Sequence, residues 1–148
     1  MRLKVFIALS IVAAGLFSGL AVGLVQAQVV IIETPITTDP AIQWWPDVYG
    51  DIIVWTDYRN GNSDIYMYDL TTATETQLTT ETATQQHAVV YGNRIVWYDG
   101  RNGNFDIYMY DLTTATETQI TTDPAIQWWP DVYGDIIVWT DYRNGNSD

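Results

Sequence analysis

The chain has 148 residues, of which 18 are acidic and six basic, for a formal net charge of −12, and it contains no cysteine. That length suits about one domain, and the lack of cysteine excludes disulfides, thiolate nucleophiles and cysteine-ligated metals. The negative balance argues against nucleic acid, whose phosphates require lysine and arginine, and against an anionic membrane surface.

Met1 to Ala27 reads as a secretory signal. Arg2 and Lys4 supply a positive start, and the 21 residues from Val5 to Val25 are uncharged and mostly apolar. Val25-Gln26-Ala27 fits a small-residue cleavage site, which would start the mature chain at Gln28. The apolar run is also long enough to span a bilayer, so the alternative is an uncleaved anchor, the only membrane contact expected. Either way the remainder is expected to be secreted or held at the cell surface. Without the leader, four arginines and no lysine remain and the formal charge is −14. A solvated acidic surface is the plain reading of that charge, with divalent cations or high external salt as the setting it favours.

Val29 to Glu33 has the β-branched composition of a strand. From Ile36 the chain repeats every 42 residues, as residues 36–77, 78–119 and a partial 120–148. The first two repeats agree at 29 of 42 positions, and the third agrees with the first at all 29 of its residues. Identity that skips a repeat points to a duplicated unit of two. Each repeat predicts four strands, exemplified by Gln43–Tyr49, Ile52–Thr56, Ile65–Leu70 and Glu75–Thr79. Gly50-Asp51 is expected to turn the first pair. Asn60-Gly61 reads as a two-residue hairpin turn, since both residue types tolerate positive φ. Strands two and three are apolar at both alternating sets, the pattern of a sheet covered on both faces. Strand four, rich in Thr and Glu, suits an exposed outer edge. A 42-residue period of short strands indicates stacked four-stranded antiparallel blades, an all-β propeller.

The run Pro46-Asp47, Gly50, Ile53-Val54-Trp55, Asp57, Arg59, Gly61, Asp64-Ile65-Tyr66 and Asp69 resembles the TolB-like β-propeller repeat. The resemblance covers Ile36 to Asp148. The second repeat departs from it, with Gln86-His87 in place of Trp-Trp and Ala88-Val89 in place of Pro-Asp. The resemblance implies a propeller of the kind found in surface-layer-type proteins and beside the peptidase domain of prolyl-oligopeptidase relatives. Rings take four to eight blades, so two repeats and part of a third form an incomplete ring. A piece of a longer repeat protein is the favoured explanation, with association of several chains or an open stack as alternatives. The Val29–Thr34 strand is a candidate for the outer place of another blade.

Trp44-Trp45-Pro46-Asp47 and Trp128-Trp129-Pro130-Asp131 precede or begin the innermost strands. In propellers such loops rim the channel, and adjacent strand residues point to opposite faces. One tryptophan of each pair is therefore free to pack between blades while the other faces out. Flat aromatics suit sugar rings or protein hot spots. Trp44, Trp45, Asp47, Trp128, Trp129 and Asp131 are the candidate ligand-binding residues; the plain alternative packs both tryptophans inside and uses the two aspartates to stabilise turns. Asp57, Asp64, Asp106 and Asp148 are calcium candidates by residue type. Their spacing fails the alternating-ligand pattern, because Arg59 and Gly61 stand where ligands should be. The alternative reading has Asp64 bonding loop amides and pairing with Arg59. His87, the single histidine, replaces a tryptophan, and the only serines beyond the leader are Ser63 and Ser147. No nucleophile–base–acid arrangement follows from these, and a lone histidine makes a structural zinc site a poor fit. Nearly every aspartate recurs in each repeat, whereas catalytic carboxylate pairs depend on unlike environments. The expected function is non-enzymatic: binding an extracellular protein or glycan, or building a surface array. The competing readings are the access-gating propeller of a larger hydrolase and a calcium-stabilised adhesin.

Overall fold

The structure is a computed structural model that describes residues 4–10 and 29–146. Two short strands come first, β1 (Lys4–Ser10) and β2 (Val29–Pro35), paired antiparallel with Lys4 opposite Pro35. The first blade is a meander of β3 (Gln43–Tyr49), β4 (Ile52–Asp57), β5 (Asp64–Asp69) and β6 (Thr74–Gln77). The second repeats it as β7 (Gln85–Tyr91), β8 (Arg94–Asp99), β9 (Asp106–Asp111) and β10 (Thr116–Gln119). The third contributes β11 (Gln127–Tyr133) and β12 (Ile136–Asp141). All pairings are antiparallel, so the architecture is all-β with four-stranded blades in an incomplete ring.

β2 takes its hydrogen bonds from β1 and joins no blade among the described residues, in contrast to its expected use as another blade's outer strand. Lys4–Ser10 belongs to the segment assigned above to the leader. The cleavage site at Val25-Gln26-Ala27 lies outside the described residues, as does Asp148.

The turns differ in an instructive way. Tyr49 pairs with Ile52, so Gly50-Asp51 is a two-residue connection, and Gly50 has φ 56°, which glycine adopts without a Cβ penalty. Asp57 pairs with Asp64, so the expected two-residue turn at Asn60-Gly61 is instead a six-residue loop. The reason is side-chain bonding. The Asn60 amide donates to Asp64 (2.8 Å) and to the Tyr66 hydroxyl (3.0 Å). The Asn62 amide donates to Asp64 (2.8 Å) and to the carbonyls of Glu81 and Ala83 (2.9 and 3.0 Å). The loop thereby clamps the connection to the next blade, and Asn104 does the same with Asp123 and Ala125.

Each blade buries two faces. In β4, Ile53 and Trp55 pack forward with Ile36 and Tyr66, while Val54 packs backward with Ile65 onto Ala88, Val90, Ile95 and Trp97 of the second blade. In β8, Val96 and Tyr98 continue the series onto Val132 of the third. Trp55 and Trp97 are fully buried, and each indole N–H donates to a buried carboxylate, Asp57 (2.9 Å) or Asp99 (3.2 Å). A buried charge requires a partner. Arg59 supplies it with 2.6 Å to Asp57, and Arg101 with 2.6 Å to Asp99. Each guanidinium also lies over the ring of Tyr66 or Tyr108 at 4.1 and 4.3 Å and reaches Glu75 or Glu117 on the outer strand. Burial pushes the Asp57 carboxyl upward, but its bonds from Arg59 and Trp55 outweigh that and hold it below the usual carboxylate range. Arg59 therefore pairs with Asp57 and Glu75, and the expected pairing with Asp64 is replaced.

Arg59→Leu strips the buried Asp57 of its counter-charge and is expected to cost about 3 kcal/mol. The measurement is the denaturant midpoint, with Asp57→Asn/Arg59→Leu recovering part of the loss because no unpaired charge then remains buried.

Candidate functional site at the inner strands

The first strands of the three sheets lie side by side. Each carries a bulge at the same place. Trp44 pairs with Thr56 and Asp47 with Val54, so Trp45 and Pro46 together oppose Trp55. The same shift falls between Gln86 and Val89, and between Trp128 and Asp131. The first bulged residue is left-handed in all three: Trp45 at φ 49°, His87 at 56° and Trp129 at 53°. Bulges of this kind normally place glycine there, and a bulky residue pays strain of order 1–3 kcal/mol for the conformation. The effect is to turn three large rings toward one another. His87 and Trp129 centroids lie 4.7 Å apart, Trp45 and His87 6.0 Å, and Trp45 and Trp129 6.3 Å.

The neighbouring positions behave differently. Trp128 stacks on Phe105 of the preceding blade at 6.2 Å, while Trp129 stays 47% exposed. Trp44 is itself 44% exposed and rests edge-on against Tyr58 at 5.3 Å. Gln86 bridges two blades: its amide donates to the Tyr58 hydroxyl (2.7 Å) and accepts from the Tyr98 hydroxyl (2.9 Å). Burial pushes the Tyr98 phenol up to about 12. At the other end of the inner strands, Tyr49, Tyr91 and Tyr133 form a second ladder, with centroids 4.5 and 4.7 Å apart. Sequence reasoning passed over this ladder, although its 42-residue spacing was a usable signal.

Asp47 spans the seam between blades, its carboxylate accepting the Val90 backbone N–H at 2.8 Å. The corresponding residue of the second repeat is Val89, which has no acceptor to offer. The Val132 N–H donates instead to the neighbouring Asp131 carboxylate at 2.8 Å. Asp47 and Asp131 also act electrostatically on His87. Burial holds the imidazole below its ordinary range, against the upward pull of these two charges, and its Nδ1 is buried without a partner.

The calcium candidates sit among protein donors. Asp57 accepts from Trp55 and Arg59, Asp64 from Asn60, Asn62 and Gln77, and Asp106 from Asn102, Asn104, Gln119 and Thr121. Burial raises the Asp64 carboxyl above its usual range, although the Asn60 and Asn62 bonds oppose that. Among the described residues, no three histidine, cysteine or acidic side chains are gathered where a metal ion would bind.

No protein-family model matches the sequence, and a search of curated proteins returns no match. Solved structures do. A putative TolB from Agrobacterium tumefaciens matches with a TM-score of 0.66 and 20% identity, over 82% of this chain and 48% of that one. TolB from Acinetobacter baumannii matches at 0.62 and 22% identity, over 74% and 29%. The β-propeller domain of the Trilobed protease from Pyrococcus furiosus, described as having an open velcro topology, matches at 0.61 and 13% identity, over 93% and 42%. The chain thus has the TolB-like β-propeller repeat fold and spans less than half the length of these structures.

Asp47→Ala leaves the Val90 N–H without its acceptor and is expected to cost about 1–3 kcal/mol in denaturant titration. For His87 the sign follows from its lowered value. Between the ordinary imidazole value and the lowered one, the unfolded chain holds a proton that the folded chain does not. Stability therefore falls as pH drops through that window. His87→Phe is expected to flatten the fall in Tm as the pH drops below the ordinary imidazole range.

Proposed function

We propose that the chain is the blade array of a non-enzymatic, extracytoplasmic propeller protein, and that it binds an extracellular protein or a glycan at the ring cluster of Trp45, His87 and Trp129. The cluster carries the reading. Three strained backbones hold three rings at one end of the inner strands, and strain of this kind gathers at functional sites. Packing alone does not account for it, because Trp129 keeps nearly half its surface in water. Rigid aromatics bind with little loss of side-chain entropy. The Asp47 and Asp131 carboxylates beside them favour a neutral or cationic ligand over an anionic one. The extracytoplasmic setting rests on the leader composition of Met1 to Ala27. The non-enzymatic reading rests on the chemistry of the site: one histidine with no nucleophile beside it.

The test is tryptophan emission during titration with neutral oligosaccharides, N-acetylglucosamine oligomers and lysine-rich peptides. One of these is expected to shift the emission and to bind about tenfold more weakly to Trp129→Ala, a change of about 1.4 kcal/mol. A ligand that binds Trp45→Ala and Trp129→Ala as well as the parent chain would place the site elsewhere. A calcium-dependent rise in Tm, reversed by chelator, would support the adhesin reading instead.

A further inference from the structure

Among the described blades, no strand of one sheet pairs with a strand of another, so the seams are held by side-chain packing and by single bonds. Most of these contacts change from one seam to the next. At the first seam Gln86 bonds the Tyr58 hydroxyl. At the second, Gly100 stands where the first repeat has Tyr58. A Cβ on Gly100 would meet the Phe105 ring at 3.2 Å, and Trp128 stacks on that ring. One contact is the same at both seams. The last residue of each inner strand is a tyrosine: Tyr49, Tyr91 or Tyr133. The second repeat keeps its tyrosine although Gln86, His87, Ala88 and Val89 on the same strand all depart from the first repeat.

The geometry of this ladder suits a covalent step. Tyr49 and Tyr91 have ring centroids 4.5 Å apart at an interplanar angle of 43°, and Tyr91 and Tyr133 lie 4.7 Å apart at 51°. At these separations the ring edges are in van der Waals contact. The Tyr91 hydroxyl is hydrogen-bonded to that of Tyr133 and to that of Tyr49, and the Tyr133 bond is the main reason its phenol titrates above the ordinary range. Bonded hydroxyls also bring together the ring carbons ortho to oxygen, because those carbons flank the C–O bond. The chain has ten tyrosines, and among the described residues these three are the ones whose rings meet one another. Tyr66 and Tyr108 lie against tryptophans, and Tyr98 lies against Phe105 and His87. The ladder is also within reach of an oxidant. Tyr49 is exposed, and Tyr91, with a blade on either side, is only half-buried.

We propose that the ladder is a site of oxidative cross-linking, at which a peroxidase consuming hydrogen peroxide joins Tyr91 to Tyr49, to Tyr133 or to both through carbon–carbon bonds. Each phenol gives one electron and its hydroxyl proton to the oxidant and becomes a phenoxyl radical. Two neighbouring radicals couple at their ortho carbons. The hydrogens on those carbons then move to the oxygens and restore two phenols. Two hydrogens leave for each link, and one hydrogen peroxide takes them up as two waters. The chain has no cysteine, so no disulfide can staple the blades and no thiol of its own would quench the radicals. Tyr49, Tyr91 and Tyr133 are 42 residues apart, so each link closes a long loop and constrains the unfolded chain as a disulfide would. The extracytoplasmic reading supplies the oxidising setting; the ladder's geometry does not depend on it.

The experiment is oxidation of the purified full chain in dilute solution with a plant peroxidase and hydrogen peroxide, read by dityrosine fluorescence and by mass spectrometry of tryptic peptides. The three tyrosines fall in different peptides, because Arg59, Arg94 and Arg101 separate them. The expected product is a single chain lighter by two hydrogens per link, with the Tyr91 peptide joined to that of Tyr49 or Tyr133. Its Tm is expected to rise by roughly 5 °C or more. Tyr91→Phe keeps the ring and its packing, so circular dichroism should match the parent, and it is expected to abolish the dityrosine of both links. Tyr68→Phe is expected to leave the yield unchanged. Links that form only between copies and vanish on dilution overturn the proposal. So do links at other tyrosines, oxidation confined to tryptophan, or a yield that Tyr91→Phe does not lower. No ligand enters this readout, so failure here would leave the ring-cluster reading standing.

Discussion

Strand β4 offers Ile53 and Trp55 to one side and Val54 to the other, and neither side tolerates water. A sheet built this way cannot stand alone, because each apolar face left in water forgoes about 25 cal/mol for every square ångström it exposes. The stacking of blades follows from that demand. So does the placement of the charged network, which has to lie inside a sheet whose faces are already taken. Asp57 and Asp99 are buried at the ends of the second strands, where an indole N–H and a guanidinium reach them from within the same blade. Each blade therefore settles the charge of its buried aspartate internally and meets its neighbours chiefly with apolar surface.

This division of labour explains which residues repeat and which vary. The Trp-Asp-Arg network, the asparagine clamps of the loop and the Gly50-type turn are intrablade or backbone requirements, identical in every copy. The seam residues answer to a particular neighbour, and there the repeats diverge in matched sets. Tyr58 with Gln86, and Gly100 with Phe105 and Trp128, are two solutions to filling the same space. Val89 in place of an aspartate is compensated locally, since Asp131 accepts the N–H that an interblade carboxylate would otherwise take.

Most of the strand layout was legible in the sequence, because alternation and a 42-residue period are direct images of a pleated, repeated sheet. The six-residue loop was not, since Asn60-Gly61 carries the composition of a tight turn and only the bonds of Asn60 and Asn62 reveal the wider one. The ring cluster was half legible. Trp45 and Trp129 stood out as large aromatics near a rim, but their convergence on His87 depends on a left-handed bulge. No pattern of L-residues announces that conformation where glycine is the normal signal.

The bulge also separates two properties that usually constrain each other. The backbone at positions 45, 87 and 129 aims the side chain, and the same conformation holds for an indole and an imidazole alike. The identity of the residue is thus free to change while its direction stays fixed. Each blade delivers one exchangeable chemical group to a common centre, so duplicating and drifting repeats would rewrite the chemistry of that centre one group at a time, with the scaffold untouched.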